Sequence, residues 1–290
     1  FPHIWGQGGQ FAMLQFHDPL NPTFFRFAVN WWFNNDQSTE SKKSMANIQS
    51  QEITYSSGGV EMQGYIAWNA DQSGQRPGVL VVHEWWGNND YARRRADMLA
   101  ELGYTGMAVD MYGGGKLADN PDGAGQLMNE LLGDLAVVRE RFNAAREALQ
   151  AHESCDAART AAIGYCMGGG IVLHMARYGS DLAAVASFHG ALPLAIAAEG
   201  EGGDVTARIA VYHGEDDQFF SSEEVDAFKA EMRKTDADCL FVPLPGALHG
   251  FSNPIATANG EKYGIPLRYS ELADCASWDH MQLVLQSAFA

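Results

Sequence analysis

Apolar runs alternate with polar turns along the chain from about residue 50 onward. Residues 77–83 (PGVLVVH) form a continuous apolar run rich in valine, which is typical of a strand buried on both faces of a parallel sheet. Upstream, residues 52–56 and 60–68 are predicted strands that the turn Ser57-Gly58-Gly59 joins into a hairpin. Further short strands are predicted at 105–110, 160–164, 182–188, 208–212 and 239–242.

Amphipathic stretches lie between these strands. Residues 124–150 show the clearest pattern, with an apolar residue every three or four positions from Leu127 to Leu149, which predicts one long helix. Because strands alternate with helices, the chain is predicted to form a mostly parallel central sheet with helices on both faces. An N-terminal antiparallel hairpin precedes this sheet. Other helices are predicted at 91–102, 168–178, 222–233 and 275–289.

Residues 1–44 lack this periodicity. They are rich in aromatic residues, Asn and Gln, without the basic start, apolar stretch and small-residue cleavage site of a signal peptide. We hypothesise that 1–44 is an extension that is not native and that Met45 is the natural start. A poorly ordered tail, or an extra piece that covers part of the domain, is the alternative. Residues 45–290 are predicted to form a single domain.

Composition narrows the class of protein. Hydrophobic residues make up 46% of the 290 positions, enough for a sizeable core, and the formal net charge is −17. This charge disfavours nucleic acid and anionic membrane surfaces as partners. No run of about 18 apolar residues occurs, so no membrane span is predicted. The four cysteines form no C-x-x-C pair, so neither a zinc site nor a thioredoxin-like site is indicated. Four thiols in a chain of this size fit a reducing compartment, and a cytoplasmic location is expected.

Ligands of parallel α/β sheets bind at the carboxyl ends of the strands. Residues 164–168 (GYCMG) lie between a predicted strand and a predicted helix, which is the nucleophile-elbow pattern with Cys166 in the serine position. The N-terminus of a helix favours the thiolate form of a cysteine. The alternative is a structural cysteine among glycines that only permit close packing, but the strand–turn–helix context favours a nucleophile.

An acid and a histidine follow the next strands. Asp216 and Asp217 come after the strand that ends at Tyr212, and His249 follows the strand at 239–242. Nucleophile, acid and histidine is the chain order of α/β-hydrolase triads, so His249 is the predicted base, and a carboxylate would orient it. Three other histidines near strand ends are expected to line the pocket: His83, His189 and His213.

The loop after the first buried strand completes the candidate site. In α/β-hydrolases it supplies one oxyanion N–H, and the residue after the nucleophile supplies the other. Here those donors are the main chains of Trp85 and Met167. Glu84 precedes Trp85 at the strand end, where a buried carboxylate needs a partner.

With these pieces in view, the chain resembles the dienelactone hydrolase family, also called carboxymethylenebutenolidases, over roughly residues 50–290. The matching motifs are VVHEWWG (81–87), VDMYGGGK (109–116), IGYCMGG (163–169), HGEDDQFF (213–220), LHGFSNP (248–254) and SWDHM (277–281).

The resemblance implies an α/β-hydrolase fold with a Cys-His-Asp triad that cleaves a small ester or lactone through a thioester. It also implies that no metal or organic cofactor is needed. Cys166 and His249 match the nucleophile and the base, and Asp217 matches the acid better than Asp216. Glu84 matches a glutamate beside the cysteine that helps to hold or release its proton. Whether the protein is a monomer or a dimer is left open. Four residues are expected to contact the substrate: Trp86, Tyr165, His189 and Phe251.

The chain departs from the family at the arginines that hold the carboxylate of a dienelactone. Asn253 occupies one arginine position, four residues beyond His249, and no arginine lies between Asp110 and Arg139. A dienelactone carboxylate would therefore lack its bidentate partners. Lys116 and Arg268 are the candidate replacements.

Two other classes of protein share parts of the pattern. Glutamine amidotransferase-like proteins also carry Gly-x-Cys-x-Gly elbows, but they place an acid two residues after the histidine, where this chain has Phe251. The second alternative is a non-catalytic ligand-binding or thiol redox-sensing protein on a hydrolase fold.

Overall fold

The apolar runs of the sequence form the centre of an eight-stranded sheet with the strand order β1-β2-β4-β3-β5-β6-β7-β8. The structure is a computed structural model, and it describes residues 46–198 and 201–290. The hypothesis about residues 1–44 therefore lies outside the described residues. The strands are β1 (Ile48–Ser57), β2 (Val60–Asn69), β3 (Arg76–Val82), β4 (Thr105–Ala108), β5 (Cys155–Tyr165), β6 (Ala184–Phe188), β7 (Arg208–Gly214) and β8 (Cys239–Leu244).

Strand β2 runs antiparallel to both β1 and β4, and the pairs from β4 through β3 to β8 are parallel. This confirms the predicted mostly parallel sheet with an N-terminal antiparallel hairpin. The carboxyl ends of β3, β5, β6, β7 and β8 consequently meet at one edge of the sheet. The helices are α1 (Asp90–Glu101), α2 (Pro121–Leu132), α3 (Leu135–Gln150), α4 (Met167–Arg177), α5 (Ser222–Lys234), α6 (Ala256–Tyr263) and α7 (Glu271–Ala288).

Successive residues of β3 serve the cores on opposite faces of the sheet, as strand geometry requires. Leu80 and Val82 pack into the core that α3, α4 and α5 cover, whereas Val79 and Val81 pack under α1 and α7. Both faces are therefore buried, which explains why β3 is a continuous apolar run rather than an alternating one. Among the described helices, none combines the length and the apolar character that crossing a membrane requires.

The prediction of one helix over 124–150 is wrong, because the segment forms two helices. Helix α2 ends with Gly133 as its C-cap. The side chain of Asp134 then accepts the main-chain N–H of Ala136 and caps the start of α3, a typical role for aspartate. Leu131 and Leu135 are four residues apart, so the apolar stripe continues across the break. Helix α6 has no predicted counterpart.

The carboxylate of Asp110 organises the loop after β4. It accepts the main-chain N–H groups of Gln63, Tyr112, Gly113 and Gly115 at 2.8–3.0 Å, and Asp110 is fully buried. The loop in turn directs the hydroxyl of Tyr112 to the carbonyl of Trp85, at 2.9 Å. The VDMYGGGK motif thus braces the loop that follows β3.

Replacing Asp110 by Ala removes the acceptor of four main-chain N–H groups. We expect the free energy of unfolding to fall by about 3 kcal/mol, because hydrogen bonds to charged groups contribute roughly 1.5–3 kcal/mol each and some freed donors will bind water. Urea denaturation measures the change. The control is Asp181→Ala at an exposed position, for which we expect a change below about 0.5 kcal/mol. Equal losses in the two variants would contradict this role of Asp110.

Candidate active site

Cys166 occupies a sharp turn between β5 and α4, with φ 53° and ψ −118°. Its two flanking glycines are required by close main-chain approaches. A Cβ atom at Gly164 would lie 2.2 Å from the carbonyl oxygen of Gly168, and one at Gly168 would lie 2.3 Å from that of Val82. The turn therefore holds an L side chain in a conformation that such residues rarely adopt, which is characteristic of a nucleophile elbow.

The remaining cysteines differ from Cys166 in their surroundings. All four cysteines are free thiols, and Cys166 is partly exposed. Burial raises the pKa of Cys155 to about 11 and that of Cys239 to about 12. The pKa of Cys275 is raised by partial burial and by the neighbouring carboxylate of Asp274. Cys166 is the only one of the four at the N-terminus of a helix, where the helix dipole stabilises a thiolate.

His249 and Asp217 form a buried hydrogen-bonded pair beside Cys166. The Nδ1 atom of His249 lies 2.8 Å from Oδ2 of Asp217, and both residues are less than a tenth exposed. Burial on its own lowers the pKa of His249, but the charge of Cys166 and the hydrogen bonds to Asp217 and Cys166 raise it to about 10. The carboxylate of Asp217 thus favours the protonated form of the imidazole. Asp216 is exposed, so the structure pairs the histidine with Asp217.

Two aromatic side chains cover the imidazole of His249. The ring centroids of Phe219 and Phe220 lie 4.6 and 5.9 Å from that of His249. The main-chain N–H of Phe219 also donates to Oδ1 of Asp217 at 2.9 Å, so the same loop holds the acid and shields the base. Sequence reasoning used the HGEDDQFF motif only for its acid and overlooked its two phenylalanines.

Glu84 lies at the end of β3 and accepts a hydrogen bond from Nδ2 of Asn253 at 2.6 Å. Burial raises the pKa of Glu84 to about 7, against the lowering effects of Asn253, His249 and Arg95. The amide of Asn253, at the position where the family resemblance expects an arginine, thus supplies a hydrogen bond to Glu84 without a positive charge.

The two predicted oxyanion donors belong to well-anchored main chain. Met167 is the first residue of α4, where an N–H has no partner within the helix. The carbonyl of Trp85 accepts the hydroxyl of Tyr112, and the carbonyl of Trp86 accepts the N–H of Ala118. The rings of Trp85 and Trp86 pack edge to face, 5.0 Å apart.

The four residues predicted to contact substrate have buried side chains. Tyr165, His189 and Phe251 are fully buried, and Trp86 is only 6% exposed. Tyr165 is the last residue of β5 and stacks on Phe188 in the core at a ring distance of 4.8 Å. Strand alternation turns the side chain of Tyr165, the residue before Cys166, into the core. Substrate contact by these four residues stays a prediction.

His83 and His213, two histidines expected to line the pocket, are also buried. The ring of His83 links main-chain groups on two loops. Its Nδ1 atom contacts the carbonyl of Glu84, and its Nε2 atom accepts the N–H of Met111 at 3.2 Å. This histidine therefore ties the loop after β4 to the loop after β3.

The basic side chains named as possible carboxylate partners point elsewhere. Lys116 lines a surface cleft together with Glu130 and Asp134, and Arg268 donates to the carbonyl of Gly246 at 3.0 Å. Arg95 is buried in an ion pair with Asp274.

Comparisons with known proteins agree with this architecture. The sequence pattern of the dienelactone hydrolase family matches residues 62–289. Protein usf of Aquifex pyrophilus is 30% identical over 211 residues, which cover 70% of this chain and 87% of that protein. A dienelactone hydrolase-like promiscuous phosphotriesterase from metagenomic libraries matches with a TM-score of 0.79 and 34% identity, over 84% of this chain and 100% of its own. The structure of m3DLH matches over the same shares, with a TM-score of 0.76 and 34% identity.

The family match spans every motif from β3 to α7 on which the resemblance depends. It confirms the resemblance and rules out the amidotransferase alternative. The chain belongs to the dienelactone hydrolase family and is a hydrolase with the α/β-hydrolase fold.

Proposed function

We propose that this hydrolase cleaves a small, uncharged ester or lactone with Cys166 as nucleophile, His249 as acid and base, and Asp217 as the orienting carboxylate. The observation that carries the proposal is the 2.8 Å hydrogen bond between His249 and Asp217, buried beside a cysteine on a strained turn at a helix N-terminus. An acid–base pair next to an activated nucleophile is the arrangement that acyl transfer requires.

In the proposed reaction, the Cys166 thiolate attacks the carbonyl carbon, and the carbonyl oxygen takes up negative charge. The N–H groups of Met167 and Trp85 stabilise this oxyanion. The imidazolium of His249 donates its proton to the leaving alkoxide, which departs as an alcohol and leaves a thioester on Cys166. Neutral His249 then takes a proton from water, the hydroxide attacks the thioester, and the released thiolate regains its imidazolium partner.

Glu84 supports the charged state of His249 in this proposal. Its carboxylate interacts favourably with the imidazolium, and Asn253 fixes its orientation. When Glu84 is ionised, its negative charge stabilises the protonated histidine. When it is protonated, that contribution is lost.

The charges around the site favour an uncharged substrate. The thiolate of Cys166 and the carboxylates of Asp217 and Glu84 surround a single imidazolium. Asn253 carries no charge, Lys116 lines a surface cleft together with Glu130 and Asp134, and Arg268 donates to the carbonyl of Gly246. A substrate carboxylate would enter without the bidentate cation that anion recognition uses. A phosphotriester is also uncharged, and one structural relative is named a promiscuous phosphotriesterase, so this class belongs in a substrate panel.

Replacing Cys166 by Ala should abolish turnover of p-nitrophenyl acetate, with kcat reduced by about a thousandfold or more, while the circular dichroism spectrum stays native. The matched control is Cys275→Ala, which removes an exposed thiol on α7 and should leave kcat unchanged. Turnover by the Cys166 variant would contradict the proposal. A stoichiometric burst without turnover in the native protein would favour the non-catalytic, thiol-binding alternative.

The pH dependence of kcat/KM should have two limbs. Glu84, with a pKa of about 7, becomes charged as pH rises, so kcat/KM should increase through about pH 7. His249, with a pKa of about 10, loses its proton above that pH, so kcat/KM should then fall. The variant Glu84→Gln keeps an acceptor for Asn253 and should lose only the lower limb. The Cys166→Ala protein serves as the blank for spontaneous hydrolysis. A lower limb that persists in Glu84→Gln would exclude Glu84 as its origin.

A neutral lactone should be hydrolysed with a kcat/KM at least about tenfold higher than a lactone of the same ring that bears a carboxylate, since the missing charge-assisted hydrogen bonds contribute roughly 1.5–3 kcal/mol each. Steady-state rates on the matched pair test this, with a neutral aryl ester and a phosphotriester as further members. Preference for the carboxylate-bearing lactone would show that a cation reaches the site.

A further inference from the structure

His189 combines complete burial with a main-chain conformation that histidine rarely adopts. It follows β6 with φ 41° and has no exposed surface. Glycine is the residue that takes such a φ without strain. A histidine there implies that its side chain makes contacts that glycine could not replace. Its own N–H donates to the carbonyl of Tyr212 at 2.9 Å, which ties it to β7.

The imidazole of His189 lies directly under the candidate nucleophile. Its Nδ1 atom accepts the main-chain N–H of Cys166 at 3.1 Å, a donor that also reaches the carbonyl of Phe188 at 3.1 Å. Burial, His249 and Arg95 hold the pKa of His189 well below its usual value. The ring is therefore neutral, with its proton on Nε2 and its Nδ1 lone pair directed at Cys166.

The other side of the ring is fixed by a hydrogen-bonded chain. Nε2 of His189 lies 2.8 Å from Oγ of Ser252, which lies 2.8 Å from the hydroxyl of Tyr91. The carbonyl of Ser252 accepts Nη2 of Arg95 at 2.7 Å, and Arg95 is paired with Asp274 on α7. These hydrogen bonds keep the proton of the His189 ring on Nε2. Ser252, which takes part in them, lies three residues beyond His249.

We propose that His189 is a positioning residue, which orients Cys166 toward His249 by accepting the Cys166 N–H and is itself oriented by Ser252 and Tyr91. The inference rests on the proposed function of Cys166 as nucleophile. The His189 ring also packs against His249, with 5.0 Å between centroids. It therefore contacts both members of the proposed nucleophile–base pair and is predicted to act through them rather than on the substrate.

Two substitutions at position 189 separate this role from a merely structural one. His189→Gly removes the ring and suits the positive φ, whereas His189→Asn places an amide oxygen near the position of Nδ1 and also tolerates that φ. We expect kcat on p-nitrophenyl acetate to fall about tenfold in the glycine variant at unchanged KM, the scale of one lost hydrogen bond. The asparagine variant should recover to within about threefold of native.

The rate of Cys166 alkylation by iodoacetamide, followed by peptide mass spectrometry, is the second readout. It should fall in His189→Gly and recover in His189→Asn, even if urea denaturation shows both to be destabilised. Ser252→Ala, which removes the partner of Nε2, should also slow alkylation. The control is His152→Asn at the opposite end of β5, which should leave kcat and alkylation unchanged.

Equal alkylation rates in native protein, His189→Gly and Ser252→Ala would overturn the proposal, as would a loss in the glycine variant that asparagine does not reverse. If His189→Gly does not fold, the comparison passes to His189→Asn and Ser252→Ala, and a slower rate in the asparagine variant than in Ser252→Ala overturns it. Absence of ester turnover in the native protein would defeat the proposed function, and the alkylation rates would still test His189.

Discussion

The candidate site depends on one close contact between neighbouring strands. Gly168 lies so near the carbonyls of Val82 and His83 that a Cβ atom there would approach them to 2.3 and 2.6 Å. Strands β3 and β5 are adjacent in the sheet, so the contact that forms the turn at Cys166 also brings the loop after β3 against it. This packing places the loop that carries Glu84 and Trp85 next to the turn at Cys166.

Electrostatic balance is the second constraint. Asp217 and Glu84 are both buried near one imidazole, and removal from water disfavours a buried negative charge that has no close cation. Burial accordingly raises the pKa of Glu84 to about 7, with an amide rather than a cation as its hydrogen-bond partner. The missing arginine and the raised pKa of Glu84 are thus two aspects of one feature, and both agree with the proposed preference for an uncharged substrate.

The sequence was sufficient to locate those candidate residues that come directly after the parallel strands. Cys166, Asp217 and His249 come after β5, β7 and β8, and parallel strands bring these positions to one edge. Chain order therefore identified His249 and an acid at 216–217, and the family resemblance selected Asp217, which is the residue paired with His249. The sequence did not reveal the break between α2 and α3 at Gly133, because Leu131 and Leu135 keep the helical spacing across it. It also missed α6, whose residues carry no apolar periodicity.

Proximity in sequence to a motif does not determine how exposed a side chain is. Tyr165 directly precedes Cys166 and is fully buried, since successive residues of a strand point to opposite faces of the sheet. The contacts that fix side-chain orientation in the candidate site join distant segments: Asn253 with Glu84, 169 residues apart, and His189 with Ser252, 63 apart. Both pairs meet in the loop after His249. That loop therefore carries the proposed base and also orients the carboxylate of Glu84 and the imidazole of His189, through Asn253 and Ser252 respectively.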